Sequence, residues 1–545
     1  MEGEPKKLRS FIDWLMVNRA QLRGCTIKYK DRSKGFGLVS SSILPCSLNE
    51  SVLLVVPLDL AITPMRVLQD PLIGPACRAM FEEGEVDDRF LIIMFLLLER
   101  LRKNSTWKPY LDMLSLSFEN PLWYSAEELL ELQGTTLYRA TELQKQQLLS
   151  LFHNKVEGLV SKILAKDGYS ECAVCFEDFL WANSVFWARA MNIPLPRSYV
   201  FPKFSDEETD CNERETNQKR VNDDSMMLRS GGLVEFESAT LTLDDNVWVE
   251  GIIPGIDFCN HDIKALATWE IDRTGIITGV PSSMYIRSAE EESFQMNQEI
   301  SISYGTKGNE ELLYLYGFVV DNNPDDYLMI HYPVEALKNS CLSETKMLLL
   351  EVQKAELRHL LYKSSLQHGF TSIDTEPLEI EGQYCSIKNS SSRRKLQSYP
   401  NKLVFPEGLL ITLRTIAMQE HELQQVCSSL EQVVGCETRQ PTDDEVREAV
   451  WETCGDSAAL QLLVDLLKKK LIDLEEGSGS EECDMKLLDE YQMLMNINEC
   501  DDSQLKTKNW RRWCCIVYRL GQKQLSKLFL REAEYALNIC LSEGV

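Results

Sequence analysis

Beyond a short N-terminal helical stretch, the hydrophobic period changes three times along this 545-residue chain, and that alternation limits what it can fold into. Short apolar runs bounded by turn residues read as strands at Thr26–Tyr29, Gly37–Val39 and Val52–Val56. From about 60 to 190 the spacing becomes helical. Strand-like runs return at Leu233–Phe236, Val247–Val249, Ala267–Ile271, Gly275–Thr278, Ser283–Arg287 and Glu299–Tyr304. After about 330 the spacing is helical to the end. A period of two and a period of 3.6 residues bury different sets of side chains, so these blocks cannot exchange roles. The expected class is α+β: a β-rich fold interrupted by a helical insertion, then an all-α C-terminal domain.

The expected helices carry their own start signals. Residues 7–20 put Leu8, Phe11, Ile12 and Leu15 on one face. Asp87 and Asp88 open a very apolar helix ending near Lys103. Ser125–Glu128 and Thr442–Glu445 have capping-box spacing. One helix is expected over Thr135–Ala165. Another over Phe176–Met191 is aromatic and has Arg189 near its end. Met347, Leu350, Leu357 and Leu361 read as one helical face. Glu475–Asp484 reads as an acidic Gly/Ser linker between helices, with the last helices around Leu487–Met495 and Arg511–Leu541. Residues 204–231 are polar and nearly free of large apolar side chains, so a disordered acidic insertion is expected there.

Charge and cysteine usage remove some functions. The net charge is −27, with no long basic stripe to track phosphates, so nucleic acid is not an expected partner. The greasiest run, Phe90–Leu98, is far shorter than the ~20 residues of a membrane span, so no membrane contact is expected. Seventeen scattered cysteines follow an N-terminus without an apolar signal region or evident transit peptide, which points to a reducing cytoplasmic or nuclear setting. Cys172 and Cys175 have zinc-ligand spacing but lack partners, and buried core cysteines are expected instead.

The densest polar cluster is Gly251–His261, where Asp257, Asn260 and His261 follow a Pro254–Gly255 turn. Three readings are open: a metal site joined by Asp262, an acid–base pair, or a polar knot between chain segments. The six histidines are dispersed, and no nucleophile elbow accompanies the cluster. Upstream, Gly35 and Gly37 leave a loop whose backbone a ligand can approach closely.

Four motifs occur in one order: Lys34–Val39, Ala188-Arg189-Ala190, Pro254–His261, and Ile302–Gly305 followed by Glu310–Phe318. Together they resemble the SET-domain protein methyltransferases, and more closely the plant Rubisco large-subunit lysine methyltransferase group. The resemblance is strong over 24–57 and 176–330 and architectural after about 335. It implies a SET domain in two parts, 1–57 and 181–330, split by a helical insertion at 58–180. An all-helical substrate-binding domain at 331–545 would follow. S-adenosyl-L-methionine is the implied cofactor and a protein lysine the implied acceptor, in a monomer with no metal.

Carried over position by position, the resemblance implies that the backbone of Lys34, Gly35 and Phe36 holds the cofactor together with Arg189, Asn260 and His261. Tyr316 matches the catalytic tyrosine and Tyr304 a channel residue beside it. Asp257, Trp269 and Tyr327 fall where the group faces substrate. Phe36 replaces a common arginine, and Ala188 a common serine. The zinc cluster of many histone-directed relatives is absent after Tyr316. Two further readings stay open: a protein-histidine methyltransferase of the same fold, and a non-catalytic protein-binding scaffold.

Overall fold

The computed structural model describes residues 4–31, 34–41, 51–168, 174–200, 246–289, 294–338, 342–370, 403–435, 439–497 and 503–543. The acidic stretch 204–231 and the expected strand Leu233–Phe236 lie outside them. The chain forms two compact units. Met1–Leu114 with Val156–Ser303 makes the first, and Ser115–Lys155 with Tyr304–Val545 the second.

In the first unit, the strands are β1 (Gln21–Leu22), β2 (Cys25–Asp31), β3 (Gly35–Ser40), β4 (Val52–Pro57), β5 (Met191–Pro196), β6 (Asn246–Gly251), β7 (Ala267–Asp272), β8 (Ser283–Ser288) and β9 (Glu299–Ile300). They pair as β1-β4-β8-β7, β2-β3-β9 and β5-β6, every ladder antiparallel. All of β4 is buried, which is why its apolar run is continuous rather than alternating. Helix Glu4–Val17 sends Phe11 and Leu15 fully into the core, with the Phe11 ring 5.2 Å from Phe258 and 5.9 Å from Tyr110. Helix Asp88–Leu101 starts where expected, the Asp87 carboxylate accepting from the Phe90 N–H. Its residues Phe90–Leu98 are buried all round, as suits a helix without a polar face.

The second unit is largely helical and is built around the 41-residue helix Ser503–Glu543. Helix Asp456–Glu476 packs along it through Leu460, Leu463 and Leu467 against Leu525, Phe529, Ala533 and Ala536. This unit also contains one antiparallel ladder, β10 (Tyr327–His331) with β11 (Arg358–Tyr362). Leu357 and Leu361 therefore do not continue the helical face of Met347 and Leu350, whose helix ends at Val352. Burial of alternate residues and burial of a helical stripe look alike over so few positions.

The segment Ser115–Lys155 belongs to this second unit, although its helical character placed it with the insertion 58–180. Tyr124, Leu129, Leu132 and Leu137 pack with Cys514, Cys515, Val517 and Tyr518 of the long helix, and ion pairs add to that packing. Arg511 on the long helix bonds Glu119 at 2.7 Å and Glu128 at 3.2 Å, and Arg519 bonds Glu131 at 2.6 Å. Helix Thr136–Leu151 then gives way to a π-turn at Phe152–Val156, so the expected helix 135–165 is two helices meeting at the change of unit.

Three other expectations are corrected. Gly275–Thr278 is a turn, because the Asp272 carboxylate collects the N–H groups of Gly275, Ile277 and Thr278 and the Thr278 hydroxyl. Cys175 is exposed at the start of helix Phe176–Arg189 rather than buried, and Cys172 lies outside the described residues. Glu475–Asp484 is no free linker. Asp484 is fully buried, bonded by Arg519 at 2.7 Å and Lys523 at 2.6 Å, while Lys523 also donates to Ser478 Oγ and the Gly479 carbonyl. The capping boxes at Ser125 and Thr442 form as expected.

Removing one partner from a buried charge group leaves the others uncompensated. Asp484→Ala should therefore lower the stability of the second unit by about 3–5 kcal/mol. Lys523→Met should cost less, because Asp484 keeps Arg519. Urea unfolding followed by tryptophan fluorescence checks the order.

Candidate active site

In the first unit, the β2–β3 hairpin carries Lys34 at its turn, with the Lys34 N–H donating to Asp31 Oδ1 at 2.9 Å. Phe36 stands opposite Tyr29, its ring edge-on at 5.5 Å. Gly35 has a left-handed φ of +66°, and a side chain at that position would meet nothing within 4 Å. Gly37 is the opposite case. A Cβ there would lie 2.9 Å from Asn260 Nδ2 and 3.2 Å from Glu299 Oε1, so the close approach of these side chains requires glycine.

Glu299, on β9 beside β3, links the loop to the polar cluster. One carboxylate oxygen accepts from Lys34 Nζ at 2.9 Å and the other from Asn260 Nδ2 at 2.8 Å. The Asn260 carbonyl accepts from the Ile302 N–H at 3.0 Å, and the Asp262 N–H donates to the Ile302 carbonyl at 3.1 Å. His261 thus forms a parallel bridge with Ile302. Residues 260–262 are knotted to the strand that leads, two residues on, into Tyr304. Glu299 was not singled out from the sequence. Its one available signal was a lone acid entering an apolar strand run.

Asp257 is closed off from water. Its side chain is 0% exposed. Oδ2 accepts from Tyr110 Oη at 2.7 Å and Arg189 Nη1 at 2.9 Å, while Oδ1 accepts from the Gly255 N–H at 2.9 Å. Arg189 also donates to the Asp257 carbonyl and lies 4.8 Å over the Phe258 ring. Burial pushes the Asp257 carboxyl above its ordinary range, opposed by Arg189, Tyr110 and Gly255. These bonds make Asp257 an anchor of the turn that leads to Asn260. Arg189 is the partner of that anchor. Tyr110 was missed because its partner lies 147 positions away in sequence. Among the described residues, no three His, Cys, Asp or Glu side chains converge as metal ligands.

In the second unit, helical turn Asn309–Glu311 runs into a π-turn, Leu312–Tyr316, which ends at Gly317 with φ +81°. A Cβ on Gly317 would sit 2.6 Å from the Glu119 carbonyl carbon. The Tyr304 and Tyr316 rings lie 4.9 Å apart at 40°, with Phe318 6.0 Å from Tyr316. Burial, helped by Glu311, pushes the Tyr316 phenol up to about 12. The structure thus brings these two expected residues together. Trp269 sits half-buried on edge strand β7, opposite Ile286. Tyr327 is buried on β10 with its ring 5.9 Å from Tyr362, and its carbonyl accepts from Gln522.

Comparison with known proteins places this arrangement. No protein-family model matches the chain. A solved structure of the SET domain of LSMT bound to methyllysine and AdoHcy covers 98% of this chain and 93% of its own, with a TM-score of 0.61 at 18% identity. A structure of Rubisco LSMT bound to AdoMet gives a TM-score of 0.58 over 98% of this chain and 92% of its own. The chain has the fold of the SET domain of LSMT.

Curated relatives agree with that placement. The [fructose-bisphosphate aldolase]-lysine N-methyltransferase of Arabidopsis thaliana is 30% identical over 190 residues, 34% of this chain and 36% of the relative. The Rubisco large-subunit N-methyltransferase of Pisum sativum is 31% identical over 189 residues, covering 34% and 35%. The actin-histidine N-methyltransferase of Rattus norvegicus is 24% identical over 333 residues, covering 58% and 43%. Each match therefore spans less than half of the relative's own length.

Replacing Arg189 by Met should destabilise the first unit by about 3–5 kcal/mol, since Asp257 would keep a buried charge with only Tyr110 and Gly255 as donors. Arg189→Lys should recover part of the loss. Thermal and urea unfolding of the two variants measures both effects. Gly37→Ala should cost about 1–3 kcal/mol by forcing Asn260 off Glu299, read in the same melts.

Proposed function

We propose that the chain is an S-adenosylmethionine-dependent protein N-methyltransferase acting on a lysine side chain. The observation that carries the reading is the Tyr304–Tyr316 pair, with ring centroids 4.9 Å apart at a 40° tilt and the Tyr316 phenol pushed up by burial. The fold shared with Rubisco LSMT and the identity with a lysine N-methyltransferase and a Rubisco large-subunit N-methyltransferase support it.

The residues fit the cofactor on one structural ground. At Gly35 the hairpin backbone has a left-handed turn and open space where a side chain would stand, while Glu299 holds the Lys34 ammonium to the side. Lys34, Gly35 and Phe36 would hold the cofactor by their backbone, with Asn260, His261 and Arg189 shaping the wall behind. S-adenosylmethionine, when bound, supplies an electrophilic methyl group on a sulfonium.

The chain's own work is then alignment and desolvation. The Tyr316 hydroxyl oxygen can accept from an amine N–H, which turns the amine lone pair toward the methyl group. The Tyr304 and Phe318 rings beside it exclude water and favour the uncharged acceptor. No enzymic base is needed at a tyrosine this hard to ionise. The acceptor loses its proton before it arrives or in the channel.

A second reading has its own support. The longest of the three alignments above is with an actin-histidine N-methyltransferase, and an imidazole would suit the same aromatic pair.

Calorimetric titration with S-adenosylmethionine should show saturable binding, and its absence would remove the proposal. Labelled-methyl transfer into a protein extract, followed by amino-acid analysis, should yield methyllysine; methylhistidine instead would select the second reading. Tyr316→Phe should leave cofactor affinity nearly unchanged and lower kcat by roughly 10–100-fold. The pH profile should rise as the lysine, with an ordinary value of about 10.4, deprotonates. A descending limb near pH 10 would mean that Tyr316 titrates normally and is not held by burial.

A further inference from the structure

The turn that carries Tyr316 is closed on itself by a side chain eleven residues from its end. Asn309 Oδ1 accepts from the Val320 N–H at 2.8 Å, and Asn309 Nδ2 donates to the Val320 carbonyl at 2.9 Å. The amide therefore pairs with both backbone groups of one residue, as a neighbouring strand would. It bridges the start of the turn to a point four residues beyond Tyr316. The same Nδ2 donates to Asp326 Oδ2 at 3.1 Å, and the Asn309 backbone N–H donates to Asp326 Oδ1 at 2.5 Å. Asn323 Nδ2 reaches the Lys307 carbonyl at 2.8 Å and Asn309 Oδ1 at 3.4 Å. Asn309, Asn323 and Asp326 are all buried.

These bonds matter because of what lies between them. A π-turn has weaker internal support than an α-helix and persists where its surroundings hold it. Leu312–Tyr316 is such a turn, and the left-handed Gly317 follows it at once. The Gly317 N–H closes the turn onto the Leu312 and Leu313 carbonyls, and both ends of the turn are held from outside it. One end is held by Asn309 with Asp326, and the other by Asn309 with Val320.

We propose that Asn309 and Asp326 are positioning residues for Tyr316: their buried amide–carboxylate pair clamps the loop 309–320 and so sets the direction of the Tyr316 hydroxyl. The proposal rests on the reading of Tyr316 as the residue that orients the acceptor. The chemistry of the clamp decides which substitutions are informative. Asn309 must both donate and accept, so neither aspartate nor alanine can replace it. Asp326 must accept twice, which its ionised form does. Burial pushes its carboxyl up to about 6, opposed by the Asn309 N–H and Lys363 and reinforced by Glu310.

The test uses the full-length chain. Asn309→Asp sets two carboxylates against each other, and Asn309→Asp with Asp326→Asn restores a donor–acceptor pair. Asn309→Asp should lower kcat by roughly 10–100-fold, with KM and the S-adenosylmethionine Kd little changed, and the double variant should recover part of kcat. A second readout needs no activity. With 3-fluorotyrosine at position 316, the phenol titration followed by fluorine NMR should move down by about one unit or more in Asn309→Asp, as the ring loses its buried setting. A folded Asn309→Asp with unchanged kcat, or with an unmoved titration, overturns the clamp. Should Asn309→Asp fail to fold, Asn309→Ser is read by the same two measurements. If the unmodified protein transfers no methyl group, the functional reading fails, and the titration still decides the clamp.

Discussion

A carboxylate cut off from water must find its hydrogen-bond donors in the protein, and the first unit is arranged around one that does. Asp257 draws Tyr110 from the helical block, Arg189 from the end of an aromatic helix, and Gly255 from its own turn onto a single side chain. Each donor belongs to a different stretch, so the group can form only when all three are in place. The turn it anchors leads directly to Asn260 and His261, where the chain is knotted to Ile302. A sealed charge of this kind adds little net stability against an apolar alternative, but it tolerates few arrangements. Specificity of chain path is what a ligand loop needs.

The second unit repeats the device with the charges reversed in number. Asp484 is shared by Arg519 and Lys523, and Arg519 also takes Glu131, while Arg511 takes Glu119 and Glu128. Arg414 and Asp456 form another buried pair, with the guanidinium 3.7 Å over Trp451. Two arginines on the long helix thus recruit a segment that precedes it by nearly four hundred positions. Beside that segment sits Gly317, which follows the turn of Tyr316, packed closely against Glu119 and Asn120. The place of the tyrosine in its own unit depends on long-range charge pairing as much as on local helix geometry.

Much of the fold was legible in the sequence, for reasons that are local. Helix starts at Asp87, Ser125 and Thr442 were visible because a cap is satisfied within three residues. The buried helix at Phe90–Leu98 was visible because it lacks a polar face. The tyrosine pair was legible only through the family motif, since two tyrosines twelve positions apart say nothing about ring contact. What misled was equally local. A Gly/Ser/Glu stretch at 475–484 has the composition of a linker, and Gly275–Thr278 has β-branched residues suited to a strand. In each, a distant or neighbouring carboxylate imposed the geometry: Asp484 beneath the long helix, Asp272 inside its turn. The anchoring of Asp257 by Tyr110, Arg189 and Gly255 carried no local signal, because two of its partners are far away in the chain.

By itself the sequence determined the class of each block, the capped helix starts, the glycine-rich hairpin at 35–37 and the motif order that points to a SET fold. These depend on periodicity and on residue types acting within a few positions. Only the tertiary structure decided which carboxylates are buried, that Glu299 joins Lys34 to Asn260, that residues 115–155 belong with the C-terminal helices, and that Asn309 closes the loop around Tyr316. These are pairings whose partners are chosen by packing. A charged or amide side chain carries no mark in the sequence of the group it will meet once water is excluded.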